Sequence, residues 1–422
     1  MNFIEELRWR GMLHNMMPGI EEELQKGKVT GYIGFDPTAP SMTIGNYVQI
    51  MLLTLFQRAG HQPIVLMGGA TGRIGDPSGK DKERELKTTD ELDSNLAFQV
   101  KQMEKFINFT EGDNKAMLVN NLDFYKQMNV LDFLRDVGKT LTVNYMKSKD
   151  SVKKRLDSED GGEGMSFTEF SYQLLQGYDF QCLYDQNNCI LQMGGSDQWG
   201  NITSGTEFIR RNVGGKAYAI TTPLLTKADG TKFGKSEQGN IWLDGKMTSP
   251  YSFYQFWLNC DDKDLPKFLR YFTLKSKEEV EALEVEYATN PQGLKKILAE
   301  ELTVRIHSQE DFDKAVEISA LLFAKKEQFM EITESDLEKI PYISLQQSLL
   351  SEDLNIIDLL NTHTGVFPSN TEVRTAMKSN AVGINKDKIT DTTLIINESH
   401  LLFGKYLLVD NGKKKRQLIK FV

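Results

Sequence analysis

Residues 31–47 read GYIGFDPTAPSMTIGNY, and this stretch decides the fold. An apolar, aromatic run stops at Asp36-Pro37 and turns through Pro40-Ser41. It then enters VQIMLLTLF, long enough for a buried helix. A strand, a Gly/Pro turn and a helix N-terminus together make an anion site, because the first N–H groups of a helix have no partner within it. Pro37 and Pro40 stiffen the turn, and Ser41 is placed as the N-cap. Gly45 leaves room for a flat base or a sugar beside the backbone. Neither G-x-G-x-x-G nor Gly-Lys-Ser/Thr occurs here, and an ordinary helix start with a glycine reads the same way from this stretch alone.

Outward from it, VTGYIGF (29–35), QPIVLMG (62–68), KAMLVNN (115–121), NCILQMGG (188–195) and KAYAITTPLL (216–225) read as buried strands alternating with helical patterns. That alternation predicts an α/β, Rossmann-like parallel sheet with helices on both faces, whose ligands sit at the carboxyl ends of the strands. From Ser249 the character turns helical, and 326–351 is polar and breaks its own pattern. The expected organisation is a catalytic domain over 1–223, a loop and connector over 224–248, and an α-helical domain over 249–325. A linker over 326–351 and a small α+β module over 352–422 complete it.

The chain has 422 residues, enough for two to four domains. No apolar stretch reaches the roughly 18–20 residues of a membrane helix, and MNFIEELRWRGMLHNMM is too charged for a signal peptide. Cys182, Cys189 and Cys260 form no C-x-x-C pair, and five scattered histidines offer no structural zinc site. These features predict a reduced, cytoplasmic protein with no membrane partner and no protein-bound metal. A net charge of −9 argues against general nucleic-acid coating. From Glu352 onward, however, ten Lys/Arg stand against eight Asp/Glu, with a cluster in KYLLVDNGKKKRQLIKFV (405–422). A basic module on an acidic body points to a localised anionic partner such as RNA, and a solvated tail fits the charge equally.

Four further stretches carry chemistry. MGGATGRIGDPSGKDKER (67–84) fails as a P-loop, since Ile74 stands where glycine is needed. It leaves Asp76 for an ammonium and Lys80 and Arg84 for phosphate or RNA, or else is a plain surface loop. In SFTEFSYQLLQGYDF (166–180), Tyr172, Gln176 and Asp179 share roughly a 60° arc of one helix face, with Phe167, Phe170, Leu174 and Tyr178 opposite. That division suits a polar ligand or an amphipathic surface helix. LQMGGSDQWGN (191–201) closes a strand with Asp197 placed for ribose hydroxyls. KADGTKFGKSE (227–237) sets two lysines on a glycine-containing loop, a device for closing over a polyphosphate.

Jointly these stretches resemble the class I aminoacyl-tRNA synthetases, in particular the bacterial tyrosyl-tRNA synthetase family. GFDPTAPSMTIGN stands at the family's HIGH signature and KFGKS at its KMSKS loop, and the likeness runs from the first residues to the last. The resemblance implies activation of L-tyrosine with ATP, carrying its Mg2+, to tyrosyl-adenylate and pyrophosphate, followed by transfer to the 3′ end of tRNA(Tyr), by a homodimer. It implies a catalytic set of Thr43, Asn46, Lys232, Lys235 and Ser236. Tyr32 and Asp179 fall at the substrate phenol, Asp76, Tyr172 and Gln176 at its α-ammonium, and Gln198 near its carboxylate. Gly34, Asp36, Thr38, Gly45, Gly194, Asp197 and Lys235 fall at ATP.

One departure matters: Thr43 and Asn46 replace the family's two signature histidines. Asn46 still donates a hydrogen bond, whereas Thr43, shorter and never cationic, would hold the γ-phosphate more weakly or through water. PSNTEVRTAMKSNAVGINKDKITD resembles a small RNA-binding module, with Arg374 and Lys378 on its helix. Lys413, Lys414, Lys415 and Arg416 are expected to add tRNA phosphate contacts, and Lys147, Lys149, Lys153, Lys154 and Arg155 form a second candidate surface. A tryptophanyl-tRNA synthetase shares the signatures but lacks such an appendage. A non-catalytic RNA-binding paralogue would not need Lys232, Lys235, Ser236 and a complete tyrosine pocket.

Overall fold

Six strands form the central sheet of the first unit: β1 (Asn15–Met16), β2 (Thr30–Phe35), β3 (Gln62–Met67), β4 (Met117–Asn120), β5 (Cys189–Gly195) and β6 (Tyr218–Thr222). They run in the order β1-β6-β5-β2-β3-β4, parallel except for β1, which is antiparallel to β6. All five expected strands are present, and the two-residue β1 is too short to leave a pattern. The computed structural model describes residues 1–78, 86–156, 164–236, 239–351, 353–413 and 415–422, with the side chains of 151, 154, 235 and 236 also outside the description. The chain divides into one unit of Met1–Ser249 with Phe256–His307 and another of Pro250–Gln255 with Ser308–Val422.

The strands are nearly continuously apolar because both faces of the sheet are covered. Gly31 and Tyr32 show the two sides. A Cβ on Gly31 would stand 3.0 Å from the Phe56 ring of the Ile44–Arg58 helix. Tyr32, on the opposite face, packs edge-on to Phe180 of the Phe167–Asn187 helix, at 5.1 Å between ring centroids. Ile64, Leu66, Leu183 and Ile209 complete that second core. The Ile44–Arg58 helix is capped by Thr43, not by the expected Ser41. Ser41 is buried, donates to the Met42 carbonyl and accepts from Gln102 Nε2 at 2.8 Å, so its hydroxyl is spent inside the turn.

The helical part of this unit includes Leu265–Phe272 and Pro291–Ile306. Trp257, Phe268 and Phe272 pack there as an aromatic cluster that also receives Phe233, with ring centroids 5.0–5.9 Å from it. Phe233 therefore anchors the KFGKS loop in a core.

In the second unit a five-stranded sheet runs Asp387–Lys388, Val382–Ile384, Tyr406–Asn411, Lys415–Phe421, Tyr342–Leu345. Period-two alternation splits its core: Leu407, Val409 and Ile419 face Val373 and Met377 of the Asn370–Lys378 helix, while Tyr406, Leu408 and Leu418 face Ile318 and Leu322 of the Gln309–Phe323 helix. The linker expected over 326–351 is corrected here. Tyr342–Leu345 pairs in parallel with Lys415–Phe421 as an edge strand, and Lys326–Phe329 and Glu334–Glu338 are short helices. Four residues, half of them exposed and followed by Gln346, Gln347 and Ser348, are too short a run to stand out in a hydrophobic reading. Among the described residues no helix is long and apolar enough to cross a membrane.

Candidate active site

The strand order reverses at β2, whose neighbours β3 and β5 lie on opposite sides of it, and open α/β sheets bind ligands at such a switch point. The β2–β3 ladder runs to Phe35↔Met67, whereas β2–β5 pairing stops at Tyr32↔Gln192. Past Tyr32 the two strands part, and a cleft of about 440 Å³ opens between their carboxyl ends. It gathers Tyr32, Gly34, Asp36, Thr38, Thr43, Gly45, Asn46, Asp76, Tyr172, Gln176, Asp179, Gly194, Asp197 and Gln198, residues spread over more than 160 positions of the chain.

At one end of the cleft Tyr32 and Asp179 are fully buried. Asp179 accepts from Tyr125 Oη and from Asn121 Nδ2, each at 2.8 Å. Burial pushes its carboxyl up to about 7 against those two donors. Among the described residues the Tyr32 hydroxyl has no hydrogen-bond partner, and burial together with the Asp179 charge holds it well above its ordinary pKa, so it remains a protonated donor. Tyr172 donates to Asp36 Oδ2 at 2.9 Å, and Thr71 donates to Asp36 Oδ1 at 2.6 Å. Asp36, expected at the nucleotide, thus braces Tyr172. Gln176 lines the cleft one turn along the same helix. The arc of Tyr172, Gln176 and Asp179 is this inward face, while Phe167, on the opposite apolar face, is exposed.

Toward the opening, Asp76 accepts from Gln198 Nε2 at 2.7 Å and from the Ser78 N–H at 2.9 Å, with Asn201 Nδ2 at 3.3 Å. Thr43 and Asn46 stand at the start of the Ile44–Arg58 helix. A Cβ on Gly45 would meet only Thr43 Oγ1, at 3.4 Å, and one on Gly34 would meet nothing within 4 Å. No neighbour requires either glycine, and both leave the cleft wall bare. Lys232 is exposed on its loop and does not line the cleft; its charge acts on Asp197. The Lys235 and Ser236 side chains, and Lys80 and Arg84, lie outside the described residues.

Sequence reasoning passed over Asn121, Tyr125 and Thr71. Asn121 also binds Thr71 Oγ1 and the Ala70 N–H, tying Asp179 to the Gly-rich turn after β3. Its signal was its place just past β4, at a carboxyl end; Tyr125 follows in irregular chain and left none.

The basic candidates fare unevenly. Arg374 and Lys378 are exposed on one helix, and Lys413 and Lys415 are exposed as well. Lys414 and the Lys154 side chain lie outside the described residues. Arg416 is engaged inside its unit, 2.6 Å from Asp410 and over the Phe323 ring. Arg155 is not a surface cation: it forms a buried two-point ion pair with Glu169 at 3.0 and 3.1 Å. Lys149 is bound to Tyr145 Oη and Thr203 Oγ1, while Lys147 and Lys153 are exposed.

A parallel sheet with a cleft at its switch point, walled by the GFDPTAPSMTIGN turn, is the arrangement of a class I aminoacyl-tRNA synthetase. The family model for class I tRNA synthetases (W and Y) matches residues 24–324, and the tyrosine–tRNA ligase SYY-like C-terminal domain matches 331–419. The chain is 56% identical over 430 residues to the tyrosine–tRNA ligase of Cytophaga hutchinsonii, covering 100% of this chain and 99% of that one. It is 52% identical to that of Parabacteroides distasonis, covering 99% of each. Its fold matches a C-terminally truncated mitochondrial tyrosyl-tRNA synthetase of Aspergillus nidulans with a TM-score of 0.67 at 30% identity, over 74% of this chain and 92% of that one. The chain belongs to the tyrosine–tRNA ligase family, enzymes that join tyrosine to its tRNA.

Proposed function

We propose that the cleft carries out tyrosine activation, with the amino acid at the buried end and ATP at the helix N-terminus. The observation that carries this reading is the partnerless Tyr32 hydroxyl beside the buried Asp179. A substrate phenol accepts from Tyr32 and donates to Asp179, satisfying both. Phenylalanine leaves the buried Tyr32 hydroxyl unpaired, at about 1–3 kcal/mol, and gives Asp179 no donor beyond Asn121 and Tyr125. Tyr172, Gln176 and Asp76 hold the α-ammonium, and Gln198 turns toward the carboxylate from its bond to Asp76. The tyrosine carboxylate oxygen attacks the α-phosphorus in line, the bond to the bridging oxygen breaks, and pyrophosphate leaves with the electron pair. No side chain is a nucleophile, so positioning and charge stabilisation supply the rate. Gly34, Thr38, Gly45, Gly194 and Asp197 shape the nucleotide side, Lys232, Lys235 and Ser236 close over the triphosphate, and Mg2+ enters bound to ATP.

The adenylate then passes its tyrosyl group to the terminal ribose hydroxyl of tRNA(Tyr), releasing AMP. The protein works in the cytoplasm, where its free cysteines stay reduced. It acts as a homodimer: Leu118 on the edge strand β4, together with Leu131, Leu134 and Phe167, leaves large apolar side chains exposed. Sedimentation equilibrium at micromolar concentration returning only monomer would sink the dimer.

Tyrosine-dependent ATP–pyrophosphate exchange, with phenylalanine and tryptophan run beside it, tests the activation reading. Exchange with tyrosine alone is the expected result. Exchange with none of the three, from folded protein, overturns it.

A further inference from the structure

The N-terminal turn of the Ile44–Arg58 helix closes a reciprocal box. Thr43 Oγ1 accepts from the Asn46 N–H at 3.3 Å, and Asn46 Oδ1 accepts from the Thr43 N–H at 3.0 Å and from the Thr43 hydroxyl at 2.8 Å. The hydroxyl has a single proton, and Asn46 Oδ1 takes it. Thr43 therefore has no donor to offer a phosphate while the box is closed.

The same bonds orient Asn46. A backbone N–H only donates, so the amide atom facing Thr43 must be the oxygen, and the assignment of oxygen and nitrogen is not arbitrary. Nδ2 then points away from the box. The remaining first-turn donors are accounted for: the Ile44 N–H binds the Ile241 carbonyl at 2.8 Å, and the Tyr47 N–H binds the Thr43 carbonyl at 3.1 Å. Among the described residues, only the Gly45 N–H and Asn46 Nδ2 of this turn have no acceptor. Both residues are exposed on the cleft wall. An antiparallel bridge between Thr43 and Trp242, with the Leu243 N–H bound to the Met42 carbonyl at 2.9 Å, fixes the turn from behind.

We propose that Thr43 is a positioning residue that acts on the nucleotide through Asn46, whose Nδ2, with the Gly45 N–H, is the phosphate donor of this turn. The inference rests on the reading of the cleft as an ATP site. It replaces direct contact by Thr43, and it explains why a residue that is never cationic serves at this position. Its value lies in holding a neighbouring amide one way round.

A double-mutant cycle in the full-length protein decides it, read by ATP–pyrophosphate exchange. Thr43→Val should lower kcat/KM for ATP about tenfold, the size of one lost hydrogen bond, with KM for tyrosine unmoved. Thr43→Ser rebuilds the box and should recover most of that loss. In an Asn46→Ala background, Thr43→Val should change the ATP parameter less than about twofold. Melting temperatures should fall in both backgrounds, because the helix cap is lost in both, so stability and nucleotide effects separate. A full tenfold loss in the Asn46→Ala background, or no recovery by Thr43→Ser, overturns the proposal. Absence of exchange in the unaltered protein would instead overturn the ATP reading itself.

Discussion

Asp179 sits between opposing influences. Burial raises its carboxyl to about 7, while the Asn121 and Tyr125 donors favour the charged form. Two pH dependences of opposite sign follow. An unfolded aspartate titrates near ~3.9, so between roughly pH 4 and 7 the folded, ligand-free protein holds a proton that the unfolded chain has lost. Stability from this group is full below pH 4 and is lost as pH rises to 7. Tyrosine binding runs the other way, because the ionised carboxylate accepts the phenol proton: affinity should fall up to about tenfold for each pH unit below 7. Asp179→Asn should flatten both trends, as read by thermal unfolding and by equilibrium dialysis of tyrosine from pH 5 to 8. Parallel slopes in the two proteins would contradict the assignment. The helix face that carries the residue was legible, open between a ligand face and a solvated one, and the family resemblance placed Asp179 at the phenol; the Asn121 and Tyr125 supports, more than fifty positions away, left no such signal.

At the scale of elements, the site depends on how closely the Phe167–Asn187 and Trp199–Asn212 helices approach. A Cβ on Gly177 would lie 2.5 Å from the Phe208 ring. In an isolated helix Gly→Ala would stabilise by about 1 kcal/mol, but here overpacking should win. Gly177→Ala is expected to destabilise by about 1–3 kcal/mol in urea unfolding, and to weaken tyrosine binding, since Tyr172, Gln176 and Asp179 ride on that helix. Unchanged or higher stability would show that the helices have slack. The buried Arg155–Glu169 pair ties the segment before this helix to its first turn, which turns a presumed surface cluster into a structural tie. Element boundaries were less legible than element types. Ser41 and Thr43 both suit an N-cap by residue type, and the bonds that Ser41 makes with Gln102, Asp244 and Met42 decide between them.

Over the whole molecule, every cleft residue belongs to the first unit, and the exposed cations Arg374 and Lys378 belong to the second. Activation and RNA contact should therefore separate. Arg374→Gln with Lys378→Gln is expected to weaken tRNA binding and to lower the log–log salt slope by about one to two, leaving pyrophosphate exchange unaltered. An unchanged slope would remove these residues from the RNA surface. The sequence alone determined the α/β sheet, the synthetase family that its signatures mark, and a distinct basic end. These follow from local signals: apolar runs, turn residues, and motifs whose spacing is set by one strand or one helix. Only the tertiary structure decided that Asp36 braces Tyr172, that Arg155 and Arg416 are spent on internal carboxylates, that Tyr342–Leu345 is a sheet edge, and that Thr43 faces Asn46. In each case a polar group or a backbone edge has several possible partners, and the folded geometry selects one: across the chain for Asp36 with Tyr172 and for the edge strand, within a few residues for Thr43 with Asn46.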